Sequence, residues 1–339
     1  MSVPVHDPFG LKEDTSIPGV EAALDPELIQ RWLDRERATL ILPGGGDPRL
    51  REVRVIRHKP GRRSLLEYDL GFDRTDQVVT LIGKIYSRKR PKIGYKLARA
   101  LWEAGFDDAS EDAIAVPEPI GIVAEARMWL QRKVAGTVAS DLIGQLGGNT
   151  LCDRVAQAAY KLHRARVPPR RAHGMAEELE VLHNCLLKVA QERSEWRERI
   201  DRLLAACDRL GGSVGAPEPT GVHRDFYSDQ VIVDGERLWL IDFDLYCKGD
   251  VGVDIGNFAG HIIEQALRTR GDPQALDSAV GALVEGYLGR AGTSHKASID
   301  AYTELTLVRH IYLSTLFEPR RVTTDALLAL CEARLGRWM

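Results

Sequence analysis

Three polar side chains whose oxygen atoms can accept a proton or bind a metal ion lie close together in the second half of the sequence. Asp225 and Gln230 belong to a polar loop that precedes an apolar, strand-like run. Asp242 ends a second run of this kind, and Asp234-Gly235 between the two runs is a common hairpin turn. A hairpin of this length would bring the Gln230 end and the Asp242 end side by side.

This set of side chains suits phosphoryl transfer to a hydroxyl group. One carboxylate can accept the proton of the attacking hydroxyl, and two further oxygen ligands can hold the Mg²⁺ that neutralises a nucleotide triphosphate. The reaction asks little covalent chemistry of the protein, so that positioning and charge dominate catalysis.

Two regions with different periodicity must position these residues. Alternating apolar residues over 51–86 predict an antiparallel meander, followed by a helix that ends at Gly105 and by a strand pair within 120–134. From Ser140 onward the period is helical, with long helices over Leu151–Arg166 and Met175–Leu210 and about four more before the end. Strands followed by helices predict an α+β protein with a sheet lobe over 1–134 and a larger helical lobe over 135–339.

The first fifty residues carry weaker signals. Met1–Ala23 is expected to form a loose arm, and Asp25 is expected to cap a helix that begins at Pro26. The glycine run Pro43–Pro48 lacks the Gly-Lys-Ser/Thr ending of a phosphate-binding loop and does not open a helix, so it is interpreted as a connector.

Composition narrows the class of protein. The chain has 339 residues and a net charge of -3, which gives no bulk positive field for nucleic acid. The five cysteines are scattered, as is typical of reduced thiols, and no apolar run approaches the roughly 20 residues of a membrane span. We therefore expect a cytoplasmic protein, monomeric or homodimeric, without a nucleic-acid or membrane partner. From Gly221 to the end there are 17 acidic and 12 basic residues, which favours a neutral or amine-bearing substrate.

Three motifs occur in a familiar order. His223-Arg-Asp225, with Gln230 five residues after Asp225, resembles the His-x-Asp-x-x-x-x-Asn catalytic loop of the aminoglycoside phosphotransferase family. Ile241-Asp242-Phe243 resembles the metal motif of that family, and Gly249-Asp250 with Asp254 resembles its Gly-Asp-x-x-x-Asp motif. The resemblance implies a bilobal, protein-kinase-like fold with an N-terminal antiparallel sheet lobe.

The resemblance also implies a role for each matching residue. The chain would be a small-molecule kinase that uses ATP, or GTP as an alternative, together with Mg²⁺, and a small-molecule hydroxyl would be the acceptor. The implied base is Asp225, and the implied metal ligands are Gln230 and Asp242. For the nucleotide, the resemblance implies that Lys84 contacts the α and β phosphates and that the backbone at Arg132 and Val134 faces the adenine. It also implies that His223 and Asp254 brace the catalytic loop.

The sequence departs from the family at several positions. Gln230 replaces the usual Asn and is one methylene longer, and Arg224 stands where glycine is usual. The helix after Lys84 has no Glu at the usual place, which leaves Glu103 as a candidate. Asp244 either binds a second metal or caps the next turn. A nucleotide-binding pseudokinase is therefore the alternative to an active enzyme, whereas the short stretch from Asp242 to the third motif leaves little room for a protein-kinase activation segment.

Overall fold

The chain forms two compact units, Met1–Ala135 and Gly136–Met339. The computed structural model describes residues 2–38, 40, 42, 46–73, 75–88, 91–215 and 218–339. The glycine run interpreted as a connector lies largely outside the described residues. The predicted α+β class, with an antiparallel sheet lobe followed by a larger helical lobe, is confirmed.

The N-terminal unit is built on a six-stranded sheet formed by β1 Val5–His6, β2 Pro48–Lys59, β3 Arg63–Phe72, β4 Thr75–Tyr86, β6 Pro119–Val123 and β7 Met128–Arg132. Their order in the sheet is β1-β2-β3-β4-β7-β6. All neighbouring strands are antiparallel except β1 and β2. A further short strand, β5 Ile114–Ala115, precedes β6 in the sequence.

One face of this sheet packs against two N-terminal helices, α1 Val20–Ala23 and α2 Pro26–Glu36. Because side chains alternate along a strand, Leu66 and Tyr68 of β3 share this buried face with Trp32 of α2. The predicted cap of α2 is confirmed, since Asp25 Oδ1 accepts hydrogen bonds from two backbone amides of the first turn.

The expectation of a loose N-terminal arm was wrong. Leu11 and Ile17 are fully buried in the core of this unit. Asp7 accepts hydrogen bonds from the amides of Leu11 and Lys12, and the buried Tyr68 hydroxyl donates to the Ala23 carbonyl at 2.8 Å. The arm is ordered because its few apolar residues complete the core, which a reading by local composition does not detect.

The opposite face of the sheet carries Lys84 and supports helix α3 Pro91–Glu103. Lys84 pairs with Trp129 of β7, and its ammonium group lies 5.2 Å from the centroid of the indole ring. Gly94 of α3 packs closely against the Nε1 side of the same indole. A Cβ atom added at Gly94 would lie only 2.8 Å from Trp129 Nε1. The glycine thus sets how closely α3 approaches the strand that carries Lys84.

The C-terminal unit is mainly helical. Two small sheets precede its second half, one with strands β8 Thr137–Val138, β10 Val231–Asp234 and β11 Arg237–Leu240, the other with β9 Thr220–Val222 and β12 Cys247–Gly249. The helices are α4 Ala139–Leu142, α5 Gly148–Arg164, α6 Met175–Glu192, α7 Arg197–Ser213, α8 Gly252–Arg270, α9 Asp277–Ala291, α10 Lys296–Leu316 and α11 Thr324–Leu335. Within the described ranges, no helix has the length and apolar character needed to cross a bilayer.

The single long helix expected over Met175–Leu210 is in fact two helices. A 3₁₀ turn, Ser194–Trp196, separates α6 from α7. Trp196 is buried in the core between the helices, and the guanidinium of Arg193 lies 4.3 Å from its ring centroid. Burial of this indole reverses the chain, whereas periodicity alone continues smoothly across the turn.

Gly94→Val should destabilise the N-terminal unit. Valine has a higher helix propensity than glycine, so any loss of stability reports the clash with the buried Trp129 rather than a helix effect. We expect the free energy of unfolding to fall by about 1–3 kcal/mol, measured by thermal or denaturant unfolding. Lys96→Val, an exposed position of the same helix, is the control. Equal losses in both variants would contradict the packing described for Gly94.

Candidate active site

The predicted hairpin is present in the C-terminal unit. Val231 of β10 pairs with Leu240 of β11, and the two-residue loop is Gly235-Glu236, one residue later than the sequence indicated. Gly235 has a φ of +57°, a left-handed conformation that favours glycine. The next pair after Val231 and Leu240 is closed by the Ile241 amide, which donates to the Gln230 carbonyl at 3.0 Å.

His223 joins the two segments that carry the carboxylates. Its ring Nε2 donates to the Ile241 carbonyl at 2.9 Å, immediately before Asp242. The ring also packs against Phe243, with 4.6 Å between the centroids. The loop that contains Asp225 and the strand end that contains Asp242 are therefore fixed to each other through one fully buried imidazole.

The Asp254 carboxylate fixes the start of the loop that contains Asp225. This carboxylate, which is completely buried near the start of α8, accepts hydrogen bonds from the amides of His223 at 2.8 Å and Arg224 at 2.6 Å. It also contacts His163 Nε2 at 2.9 Å, and the Tyr287 hydroxyl lies 2.8 Å from the other ring nitrogen. Burial raises the pKa of Tyr287, which keeps its hydroxyl protonated as a donor.

Two residues of the site have left-handed backbone conformations. Arg224 has a φ of +71° and Asp242 a φ of +61°. Glycine adopts this region without strain, which explains physically why glycine would suit position 224. A non-glycine residue is held there at a cost of about 1–3 kcal/mol, and the hydrogen bond from the Arg224 amide to Asp254 opposes that cost.

A second brace of the loop was missed by the sequence reading. Asn257, also buried in α8, donates from Nδ2 to the Phe226 carbonyl at 2.9 Å. Its Oδ1 accepts from Arg309 at 2.6 Å, which fixes the orientation of the amide. A signal was available in the sequence: Asn257 lies three residues after Asp254 and therefore on the same helical face.

Arg309 connects this brace to helix α6. Its second guanidinium nitrogen donates to Glu178 at 3.0 Å, and Glu178 also contacts His173 at 2.7 Å. Burial alone would raise the pKa of Glu178, but the hydrogen bond from His173 and the charge of Arg309 hold it below its ordinary value. Glu178 is thus an ionised carboxylate that anchors Arg309.

Two of the side chains predicted to do the chemistry, Asp225 and Gln230, are free to bind a ligand. Among the described residues, the side chains of Asp225 and Gln230 have no hydrogen-bond or ion-pair partner, and Gln230 is only 6% exposed. The described part of the chain contains no cluster of three His, Cys, Asp or Glu side chains that could hold a metal. The amide oxygen of Gln230 and the carboxylate of Asp242 are hard oxygen ligands of the kind that magnesium prefers, so these two side chains would suit that ion.

In the N-terminal unit, Lys84 is buried on the sheet face that carries Trp129. Glu103, considered as a partner of Lys84, forms an exposed ion pair with Arg99 on its own helix, with 2.7 Å between Arg99 Nη2 and Glu103 Oε1. This pairing gives Glu103 a local partner at the surface.

The two backbone positions expected to face the adenine, Arg132 and Val134, differ in their hydrogen bonds. The Arg132 amide donates to the Glu118 carbonyl at 2.9 Å and is not available to a ligand while that bond persists. Val134 follows the end of the strand, and its amide and carbonyl make no hydrogen bond with the described residues. The adenine contact implied for both residues therefore rests mainly on Val134.

The comparison with protein families agrees with this arrangement. The sequence profile described as the Phosphotransferase enzyme family matches residues 72–298, about two thirds of the chain. The chain belongs to this phosphotransferase family. The match contains both Lys84 and all three motifs of the C-terminal unit. No curated protein sequence matches the chain significantly.

Solved structures show the kinase-like fold of this phosphotransferase in other proteins. A choline/ethanolamine kinase family protein from Mesorhizobium loti is 17% identical, with a TM-score of 0.55 and coverage of 89% of this chain and 94% of that one. A thermostable mutant of the aminoglycoside phosphotransferase APH(4)-Ia, in ternary complex with ADP and hygromycin B, is 14% identical, with a TM-score of 0.57 and coverage of 85% and 94%. Choline kinase from Cryptosporidium parvum Iowa II is 14% identical, with a TM-score of 0.53 and coverage of 93% and 94%. At these identities the likeness is one of fold.

Arg309→Met should slow turnover by about 10–100-fold, because the Asn257 amide loses the donor that orients it toward the loop. The matched control is Arg268→Met. Arg268 likewise pairs with a buried glutamate, Glu264, but that pair does not reach the loop. We expect both variants to lose comparable stability and only Arg309→Met to lose kcat, with little change in KM for the nucleotide.

Arg309→Lys should recover part of the kcat, since lysine can still donate to Asn257. Parallel losses of kcat in the Arg309 and Arg268 variants would show that the brace contributes to stability alone.

Proposed function

We propose that this protein is an ATP- and Mg²⁺-dependent kinase that transfers the γ-phosphoryl group to a hydroxyl of a small molecule. The observation that carries the proposal is the joining of the Asp225 loop to the Asp242 strand end through His223 and Ile241. Membership of the phosphotransferase family supports the reaction type.

In the proposed reaction, Asp225 orients the acceptor hydroxyl and accepts its proton as the new oxygen–phosphorus bond forms. The bond between the γ-phosphorus and the oxygen that bridges to the β-phosphate breaks, and ADP leaves. Lys84 binds the α and β phosphates, and Val134 contacts the base. Gln230 and Asp242 would hold the magnesium ion, which when bound supplies neutralising charge to the phosphates.

The acceptor is proposed to bind against the helices that follow Asp254, with help from α6 and α7. We propose an antibiotic such as an aminoglycoside, or an aminosugar or nucleoside-like metabolite, as the acceptor. The net charge of -5 from Gly221 to the end supports a neutral or amine-bearing molecule. The protein would act in the cytoplasm as a monomer or homodimer.

A pseudokinase without transfer is the second candidate, because Gln230 replaces the Asn expected at a metal position. Against it stand the two retained carboxylates and the braced loop. Since glutamine keeps the amide oxygen and its side chain has no competing partner among the described residues, we favour the active enzyme.

Asp225→Asn should abolish most turnover and leave the nucleotide affinity nearly unchanged, since the asparagine cannot accept the proton. A general base contributes roughly 10²–10⁴-fold to the rate. Asp242→Ala should instead weaken Mg²⁺-dependent ATP binding, measured by calorimetry with and without Mg²⁺. Near-normal turnover of the Asp225 variant on the true acceptor would refute the role of Asp225, and unchanged Mg²⁺ dependence would refute that of Asp242.

A further inference from the structure

The sheet face that carries Lys84 also carries a cluster of ionised side chains. We call Arg54, Glu52, Glu67 and Asp69 the β2–β3 ion cluster. Side chains two residues apart on a strand point to the same face. Glu67 pairs with Ile82, two residues before Lys84, and Arg54 pairs with Glu67. The cluster therefore lies on the same face as Lys84.

The strand register places this cluster level with the stretch between Lys84 and Val134, on strands β2 and β3 beside the strand of Lys84. Lys84 lies in one row of cross-strand pairs, Ile82 and Glu67 lie in the next, and Thr80 and Asp69 lie in the row after that. Successive rows are roughly 7 Å apart. Lys133, next to Val134, donates its backbone amide to the Thr80 carbonyl, so Val134 follows directly after this last row. A nucleotide with its phosphates at Lys84 and its base at Val134 would pass this row beside the Arg54 guanidinium, which bonds Glu67 and Asp69 of β3, the strand next to that of Lys84.

Arg54 has all five of its N–H donors in use. Nε and Nη2 donate to Glu67 at 3.3 and 2.8 Å, Nη1 and Nη2 donate to Asp69 at 2.7 and 3.0 Å, and Nη1 also donates to Glu52 at 2.5 Å. A guanidinium group has no further N–H to offer. The edge of the group is thus saturated, while 30% of the side chain is exposed. Only its flat face and its stem remain for a ligand.

The carboxylates also hold the guanidinium in one plane. Lys133 Nζ lies 2.6 Å from Glu67 Oε1 and fixes the second oxygen of that carboxylate. Hydrogen bonds to Asp69 and Glu67 raise the pKa of Arg54, so that the group stays charged. A planar cation held in this way can stack on a nucleobase, and lysine could not replace it because the ammonium group has no flat face.

We propose that Arg54 is a binding residue for the nucleotide and that its guanidinium face stacks on the purine base. The inference rests on the proposed function, because it assumes a nucleotide that extends from Lys84 to Val134. Stacking uses the π face that every purine has, and it therefore favours adenine and guanine nucleotides alike. By this account the contact binds the base without selecting ATP over GTP.

The test compares ligands with and without a base. Calorimetry on the full chain would measure binding of MgATP, MgGTP and magnesium tripolyphosphate. Arg54→Lys should weaken MgATP and MgGTP binding by similar factors of roughly tenfold and leave tripolyphosphate binding unchanged. Arg35→Lys is the matched control, since Arg35 also bonds two glutamates, Glu36 and Glu125, but lies on α2 against the other face of the sheet. This control should bind all three ligands normally.

A neutral triple variant guards against misfolding of Arg54→Lys. Arg54→Met combined with Glu67→Gln and Asp69→Asn removes the cation together with two of its anions, and it should show the same base-dependent loss. Equal weakening of all three ligands, or no weakening, would overturn the role of Arg54 while leaving the proposed function intact. Failure of the unaltered protein to bind any of the three would instead overturn the proposed function, and this inference with it.

Discussion

The buried Asp254 carboxylate is the contact on which the rest of the site depends. It accepts hydrogen bonds from two consecutive backbone amides of the loop, those of His223 and Arg224, and so fixes the backbone immediately before Asp225. A buried carboxylate is costly unless hydrogen bonds satisfy it. Here the two amides and His163 provide that satisfaction, and the loop gains a fixed conformation in return, including the left-handed turn at Arg224.

Two chains of hydrogen bonds connect helix α8, and through it the loop, to the other helices. The first chain runs from Asp254 through His163 of α5 to Tyr287 of α9. The second chain runs from Asn257 through Arg309 of α10 to Glu178 of α6. His223 then extends the fixed loop to Ile241 and the strand end at Asp242. Five helices and a hairpin thus position the loop that contains Asp225, and the side chain of Asp225 itself has no partner among the described residues.

Sequence reasoning predicted the features that are set by local pattern. Alternation and a glycine turn predicted the hairpin that brings Gln230 next to Ile241, and the Asp25-Pro26 pair predicted the start of α2. It failed where distant packing decides the structure. Burial of Leu11 and Ile17 orders the N-terminal arm, and burial of Trp196 divides a helix that looks continuous. The link from Asn257 to Arg309 spans 52 residues, and no local pattern reports such a contact. The roles of the site residues remain predictions.

The most direct test of the central claim follows the γ-phosphoryl group itself. The protein would be incubated with Mg²⁺ and ATP labelled at the γ-phosphate, together with a panel of hydroxylated amines, aminosugars, nucleosides and aminoglycosides. We predict that the label appears as a phosphate ester on a hydroxyl of at least one member, and only when Mg²⁺ is present. Bound ATP that keeps its label, or releases it only as inorganic phosphate, with every member of a broad panel would contradict the assignment of this protein as a small-molecule kinase.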